Sequence, residues 1–218
     1  MVKIERSSPP PESLAIEAKK MNGRYNCSDV VERLKADFHN KCYICEISPV
    51  QDPEIEHLLP HKNGKYPDRK FDWDNLFWPC GHCNSLKNTH KYEEGILNCC
   101  VVDPEEKMSF SFSDGSAVIS AKITGDVLTD RTVDLVNEVF NKKNTGMRII
   151  KCQVRTDELQ EEMNVFFKKL GEYQKNKQER TYKTLRGMLE RKSRFAAFKR
   201  DYIRRHGDKY PELSKLII

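Results

Sequence analysis

The sequence predicts an α+β fold in which a small cysteine-rich core with short strands lies within a mainly helical chain. Three observations support this class: two C-x-x-C pairs, a pair of β-branched or alternating segments around residues 114–115, and long charged stretches with helical periodicity. Hydrophobic residues make up 38% of the 218 residues and charged residues 33%. Because there is no apolar run of about 20 residues and no signal-peptide pattern, we expect a cytoplasmic protein without a membrane partner.

The chain divides into four predicted regions. Residues 1–40 form a helical segment with helices at 12–21 and 28–39, and residues 41–95 form the core, with strands at 54–59 and 75–78. Residues 96–155 hold a β-hairpin of MSFSFS and AVISAKI around Asp114-Gly115, followed by an amphipathic helix at 129–143. Residues 156–218 form a basic helical region, with breaks expected near Gly171 and Gly187.

Four of the eight cysteines, Cys42, Cys45, Cys80 and Cys83, form two C-x-x-C pairs. In a reducing compartment such pairs favour a metal over disulfides, and two of them complete the all-thiolate tetrahedral shell of a structural Zn²⁺ ion. The pairs are separated by 34 residues, more than a zinc ribbon needs, so the insert is expected to carry a further function. His82, inside the second pair, is predicted to be a surface residue, because a closed shell leaves it no role as a ligand.

The insert and the residues that follow it carry polar groups suited to phosphodiester cleavage. That reaction needs a base that activates water, a cation that offsets the developing charge, and a scaffold that holds both near the phosphate. The candidates, in chain order, are Glu56, His57, His61, Asn75, Asn84, Lys87 and Asn88. Adjacent strand residues point to opposite faces, so Glu56 and His57 share one reaction only if the metal sits at the strand edge. Taken singly, each candidate has an ordinary structural explanation, such as a buried histidine, a turn residue or a helix N-cap.

The order CYIC, IEHLLPH and WDNLFWPCGHCNSLK resembles the HNH endonucleases, which have a ββα-metal core with flanking zinc knuckles. The resemblance implies that His57 is the general base and that Asn75 orients the loop carrying it. It further implies that Glu56 and Asn84 bind a catalytic divalent ion and that Lys87 faces the phosphate.

Oxygen donors at the two implied ligand positions favour Mg²⁺ or Mn²⁺ as the catalytic ion. His61 and Asn88 are further candidate ligands, although a surface or capping role explains either equally well.

The flanking segments resemble a narrower group, the HNH nucleases of Septu and retron-linked Septu-like anti-phage systems. They include V-V-D-P-E-E near Asp103 and the T-V-x-L-V-N stretch at 132–137. This resemblance implies an ATPase partner of the SMC/ABC type that restrains or directs the nuclease. The leading interpretation is therefore a metal-dependent endonuclease acting on DNA or RNA. The alternative is a zinc-stabilised adaptor that binds nucleic acid or an ATPase without cutting.

The C-terminal region is strongly basic. Residues 168–218 contain 16 Lys and Arg against 6 Asp and Glu, whereas residues 1–167 contain 22 against 27. Such a region suits phosphates or an acidic partner surface, or is a solvated helical face. Within it, Phe195, Phe198 and Tyr202 recur at helical spacing, which predicts packing either on the chain's own body or on a partner.

Overall fold

The computed structural model describes residues 1–141 and 145–217 and has a helix-dominated α+β fold with two small antiparallel sheets. The helices are α1 (Glu12–Glu17), α2 (Ser28–Asp37), α3 (Pro67–Lys70), α4 (Gly81–Lys87), α5 (Pro104–Lys107), α6 (Val127–Asn141), α7 (Gly146–Asn176), α8 (Glu179–Leu189), α9 (Ala196–Arg205) and α10 (Pro211–Ser214). The strands are β1 (Glu56–His57), β2 (Leu76–Phe77), β3 (Met108–Ser113) and β4 (Ser116–Ala121). The predicted helix at 129–143 corresponds to α6, and its predicted end at residue 143 lies outside the described residues.

The first sheet pairs β1 with β2, and α4 follows directly, so that one short hairpin and one short helix make up the centre of the core region. Both strands are shorter than predicted. Backbone hydrogen bonds continue the pairing on both sides, from Leu58 N to the Asn75 carbonyl (2.9 Å) and from Glu54 N to the Pro79 carbonyl (3.0 Å). Pro79 has no amide hydrogen to donate, which limits regular strand geometry at that end.

The second sheet is the predicted hairpin, and the structure confirms it, with β3 and β4 paired over six residues each around the Asp114-Gly115 turn. Helix α6 packs on it through Asn137, whose side chain accepts from Ile119 N (3.1 Å) and donates to the Ile119 carbonyl (2.8 Å). On the β3 side, Phe198 of α9 contacts Phe110 with ring centroids 5.5 Å apart. The hairpin is therefore held between α6 and α9.

Helix α7 is continuous for 31 residues, so the predicted break near Gly171 is wrong. Leu170 and Tyr173 are buried on either side of that glycine, and packing of this face outweighs the unfavourable helix propensity of glycine, about 1 kcal/mol. The helix ends instead at Asn176, and the C-cap residue Lys177 has a left-handed φ of 43°. The break predicted near Gly187 corresponds to the end of α8 at Leu189.

The aromatic residues of the C-terminal region pack on the chain's own body. This was one of the two predicted alternatives, the other being packing on a partner. Phe198 is buried, and the neighbouring cations of α9 are bound by internal acids. Lys199 Nζ lies 2.6 Å from a Glu162 carboxylate oxygen, and Arg200 Nε lies 2.7 Å from Glu105 Oε1. Part of the basic excess thus neutralises buried carboxylates.

None of the helices within residues 1–141 and 145–217 is long and apolar enough to cross a membrane.

Candidate metal and catalytic site

The four predicted cysteines meet in one buried cluster. All four Sγ atoms lie within 4.8 Å of one another, and the Sγ atoms of Cys45 and Cys80 are 3.9 Å apart. A Zn²⁺ ion bound tetrahedrally at about 2.3 Å separates its thiolates by about 3.8 Å, so the cluster fits this ion. Burial raises the pKa of Cys45 and Cys83, so a cation is needed to hold these groups as thiolates.

Helix α7 supplies a positive charge to this cluster. Arg155 is buried, and its Nη2 lies 3.3 Å from the Sγ of Cys80. A four-thiolate zinc site carries two net negative charges, and a buried guanidinium beside one sulfur offsets part of that charge. The cluster is therefore coupled to a helix that begins about 60 residues further along the chain.

His82 is not the surface residue that the sequence predicts. Its side chain is buried with 1% exposure, and Nε2 lies 3.1 Å from the Val139 carbonyl of α6. Cys152 Sγ of α7 lies 3.8 Å from the same nitrogen. The residue thus packs at the junction of α4, α6 and α7, which spacing within the C-x-x-C pair does not reveal.

A polar cavity of about 330 Å³ opens on the other side of α4. Among the residues that line it are His57 and His61 from the β1 side and Asn84 and Asn88 from the α4 side. Glu56 is also among the lining residues, so the structure brings together five of the candidates that the sequence singles out. The rings of His57 and His61 are 4.7 Å apart between centroids.

His57 has a defined orientation in this cavity. Its Nε2 lies 3.0 Å from the Lys70 carbonyl oxygen. Since a carbonyl only accepts hydrogen bonds, Nε2 carries the proton, and Nδ1 is the basic nitrogen. Burial lowers the pKa of His57 to about 4, with the hydrogen bond to Lys70 opposing the shift. The ring is therefore neutral near pH 7 and able to accept a proton.

Asn75 fastens the loop that supplies this carbonyl. Its Nδ2 donates to the carbonyls of Leu59 and Arg69, both at 2.9 Å, and its Oδ1 accepts from Leu59 N at 2.8 Å. Arg69 directly precedes Lys70, whose carbonyl holds His57. Asn75 is 5% exposed, so this geometry agrees with a role in orienting the loop rather than in contacting a substrate.

Glu56 and Lys87 form a buried ion pair. The Glu56 carboxylate accepts a hydrogen bond from the Tyr43 hydroxyl and lies 3.2 Å from Lys87 Nζ. Lys87 also donates to the carbonyls of His57 (3.0 Å) and Leu58 (2.9 Å). Both side chains are only 2% exposed. Burial raises the pKa of Glu56, which the ammonium of Lys87 opposes.

This buried ion pair also fixes the backbone. Lys87 ties the last turn of α4 to β1, and Glu56 compensates its charge in the interior. The predicted contact of Lys87 with phosphate and the predicted coordination of the ion by Glu56, which also lines the cavity, stay predictions.

A second carboxylate, that of Glu54, lies beside Asn84. Glu54 is exposed and accepts a hydrogen bond from Asn84 Nδ2, while Asn88 Nδ2 donates to Asn84 Oδ1 at 3.0 Å. Gly81 leaves the space that this carboxylate occupies, because a Cβ there would lie 2.9 Å from Glu54 Oε1. One carboxylate with two amide side chains is a set of oxygen donors suited to Mg²⁺ or Mn²⁺.

Comparison with known proteins shows a similarity over part of the chain. No family model matches the chain. The chain is 30% identical over 132 residues to the Septu protein PtuB of Bacillus thuringiensis, a match that covers 58% of this chain and 50% of that protein. The chain thus spans about half the length of the curated relative that it matches. This similarity supports the Septu-type relationship that the flanking segments predict.

Two residues of the cavity region were missed by sequence reasoning. Tyr25 lies before α2, and its ring packs edge-on against His57 with centroids 4.6 Å apart. No local spacing links it to His57, which is 32 positions away. Glu54 precedes β1, and no local pattern links its exposed carboxylate to Asn84.

Proposed function

We propose that this chain is an HNH-type endonuclease that hydrolyses phosphodiester bonds of nucleic acid with a divalent cation. The observation that carries the proposal is the position of His57, which is fixed at Nε2 by a backbone carbonyl and lines the same cavity as a cluster of oxygen donors. A structural histidine needs no such neighbours. Under this proposal the β1–β2 hairpin and α4 form the ββα-metal core next to the zinc site.

His57 is the general base of the proposed reaction. Its Nδ1 takes a proton from a water molecule, and the resulting hydroxide attacks phosphorus. The bond from phosphorus to the leaving 3′ oxygen breaks, and that oxygen takes up a proton from solvent. Asn75 and the Lys70 carbonyl keep the imidazole in the tautomer that this step requires.

Mg²⁺ or Mn²⁺ would supply charge stabilisation at the phosphate oxygens when bound. Asn84 and Asn88 would hold the ion through their amide oxygens, and Glu54 would provide the carboxylate. Glu56 lines the same cavity and is the carboxylate that the family resemblance assigns to the ion, while its pair with Lys87 would also stabilise the core.

We further propose that the chain acts in anti-phage defence as the nuclease subunit of a Septu-type complex. The similarity to PtuB supports this role. Its partner would be an ATPase of the SMC/ABC type, and its working place the cytoplasm. Cleavage by the isolated chain would then be weak and would change when the ATPase is present.

The test is cleavage of plasmid DNA and of total RNA with Mg²⁺ or Mn²⁺, comparing wild type with His57→Ala. The variant should cleave about 10²- to 10⁴-fold more slowly, because it lacks the base. Each protein should retain about one zinc, which shows that the fold is intact. Equal cleavage by both proteins would contradict the mechanism.

A matched pair of variants separates the two carboxylates. Glu54→Gln should lower cleavage, partly recoverable at high Mn²⁺, with little loss of stability. Glu56→Gln should lower stability first. If Glu56→Gln lowers cleavage and Glu54→Gln does not, Glu56 is the carboxylate that binds the ion.

If neither wild type nor variant cleaves, with or without the ATPase and ATP, the adaptor interpretation replaces the nuclease. Nucleic-acid or ATPase binding that needs no Mg²⁺ would identify that adaptor.

A further inference from the structure

The loop of residues 62–70, here called the rim loop, borders the candidate cavity and is strongly basic. It carries Lys62, Lys65, Arg69 and Lys70 against a single acid, Asp68. Lys62 and Asn63 line the candidate cavity. They also line a neighbouring cavity of about 410 Å³, whose other wall comes from residues 87–93. A strand of nucleic acid that crosses from one cavity to the other would pass over this loop.

The rim loop is anchored at its C-terminal end, while its first cations remain exposed. Asn75 holds the Arg69 carbonyl at 2.9 Å, and Lys70 Nζ donates to the Gly23 carbonyl at 2.8 Å. Tyr66 lies between two cations, with Arg69 Cζ 4.0 Å and Lys65 Nζ 5.5 Å from its ring centroid. The aromatic ring thereby limits the positions of these charges, and its contact with Arg69 leaves it a weaker platform for stacking a base.

The C-terminal basic region differs in that several of its cations are already bound. Glu105 lies within 2.8 Å of both Arg200 and Arg204, and Asp201 lies 2.9 Å from Arg205. Lys62 has a weaker constraint, a half-exposed pair with Glu93 at 3.0 Å. The charge count of the sequence favours the C-terminal region as the phosphate-binding surface, whereas its position beside the candidate cavity favours the rim loop.

We propose that the rim loop contacts the backbone phosphates that flank the scissile bond, and that it does so independently of base sequence. This inference rests on the proposed nuclease function, since it names the surface that delivers the substrate to His57. Lysine contacts to phosphate position a strand but do not read bases. Bound strands should therefore be held with strong salt dependence and little sequence preference.

The experiment measures binding without cleavage, in the zinc-loaded His57→Ala protein without added Mg²⁺. Fluorescence anisotropy follows labelled 20-nucleotide DNA duplex, single-stranded DNA and single-stranded RNA between 50 and 300 mM salt. The test variant adds Lys62→Gln and Lys65→Gln. The matched control adds Lys168→Gln and Lys175→Gln, which remove the same charge from exposed positions of α7.

The rim-loop variant should lose about 1 unit of salt-dependence slope for each lysine removed. Affinity at 0.1 M salt should fall roughly 25- to 60-fold on the substrate that binds best. The α7 control should bind as the parent does. The preferred probe identifies the nucleic acid, and a uniform loss across two unrelated sequences supports contact with phosphates.

Three results would overturn the inference: no binding of any probe by the parent, unchanged binding by the rim-loop variant, or an equal loss in the α7 control. Loss of binding in the rim-loop variant alone, in a protein whose wild type never cleaves, would keep this surface and reject the nuclease. If His57→Ala abolishes cleavage but the rim-loop variant binds as its parent does, the nuclease is kept and this surface is rejected.

Discussion

The two sides of α4 differ in almost every physical respect. On one side, the four thiols form a closed and fully buried cluster, capped by the guanidinium of Arg155. On the other side, Asn84 and Asn88 face an open polar cavity together with His57. The polar atoms available there are amide oxygens and an imidazole nitrogen. One seven-residue helix thus contributes to a buried thiol cluster and also to the cavity of the proposed active site. Substitutions on the two sides should therefore separate folding from activity.

The largest effect is expected at the thiolate side. Cys45→Ser should abolish zinc binding and cooperative unfolding, because a structural zinc in a small unit contributes about 10 kcal/mol of folding free energy. Zinc content by metal analysis and thermal unfolding by circular dichroism measure both losses. Cys27→Ser is the control, since Cys27 is half-buried outside the cluster. A Cys45→Ser protein that melts like wild type would show that the cluster does not depend on a metal.

The second-largest effect is expected at the ion pair between Glu56 and Lys87, which links β1 to α4. Glu56→Gln or Lys87→Met alone should lower the free energy of unfolding by about 3–5 kcal/mol, because each leaves a buried charge without its partner. The double variant should lose less than the sum of the single losses. Urea unfolding of the four proteins measures this coupling. Strictly additive losses would mean that the two groups do not interact.

A smaller effect is expected from Arg155→Gln. Loss of a charge-assisted hydrogen bond to Cys80 should cost about 1–3 kcal/mol and speed zinc release to a chromogenic chelator, without removing the metal at rest. Lys151→Gln, an exposed change on the same helix, should leave the release rate unchanged. If both variants release zinc as slowly as wild type, Arg155 serves packing alone.

The smallest effect is the part of the pH dependence of stability that His57 contributes. Burial holds the pKa of folded His57 at about 4, below its ordinary value of 6.5, so between these pH values the unfolded chain binds the extra proton. Stability should therefore fall as pH drops from 6.5 to 4, and His57→Ala should lack this part of the slope. Other groups, including the thiolates, titrate too, so the difference between the two proteins is the measured quantity.

The ring protons of His57, followed by NMR in zinc-loaded protein without Mg²⁺, report the same pKa directly. The resonance missing from the His57→Ala spectrum identifies it. Titration near 6.5 would mean that water reaches the ring freely.

Much of the local structure was predictable because local patterns cause it. The two C-x-x-C pairs predicted one metal cluster, since each pair fits a single turn around an ion. The alternation around Asp114-Gly115 predicted the β3–β4 hairpin.

Other features were set by contacts between distant segments. The break expected at Gly171 is absent because the face of α7 around it is buried, and packing outweighs the local propensity. His82 is interior because α6 and α7 cover it. The basic C-terminal helix is turned inward by Glu105 and Glu162, acids that lie far from it in the chain.

The sequence by itself determined which chemical groups are available, namely four thiols, an imidazole at His57 and the polar side chains before and after the second cysteine pair. Spacing and periodicity carry this information, because they describe neighbours along the chain. Only the tertiary structure decided which groups face a cavity and which neutralise one another. It turned Glu56 and Lys87 inward, left Glu54 and the rim loop outside, and set Tyr25 against His57. The physical reason is that burial and charge pairing depend on segments brought together by folding, and no local pattern records their distance.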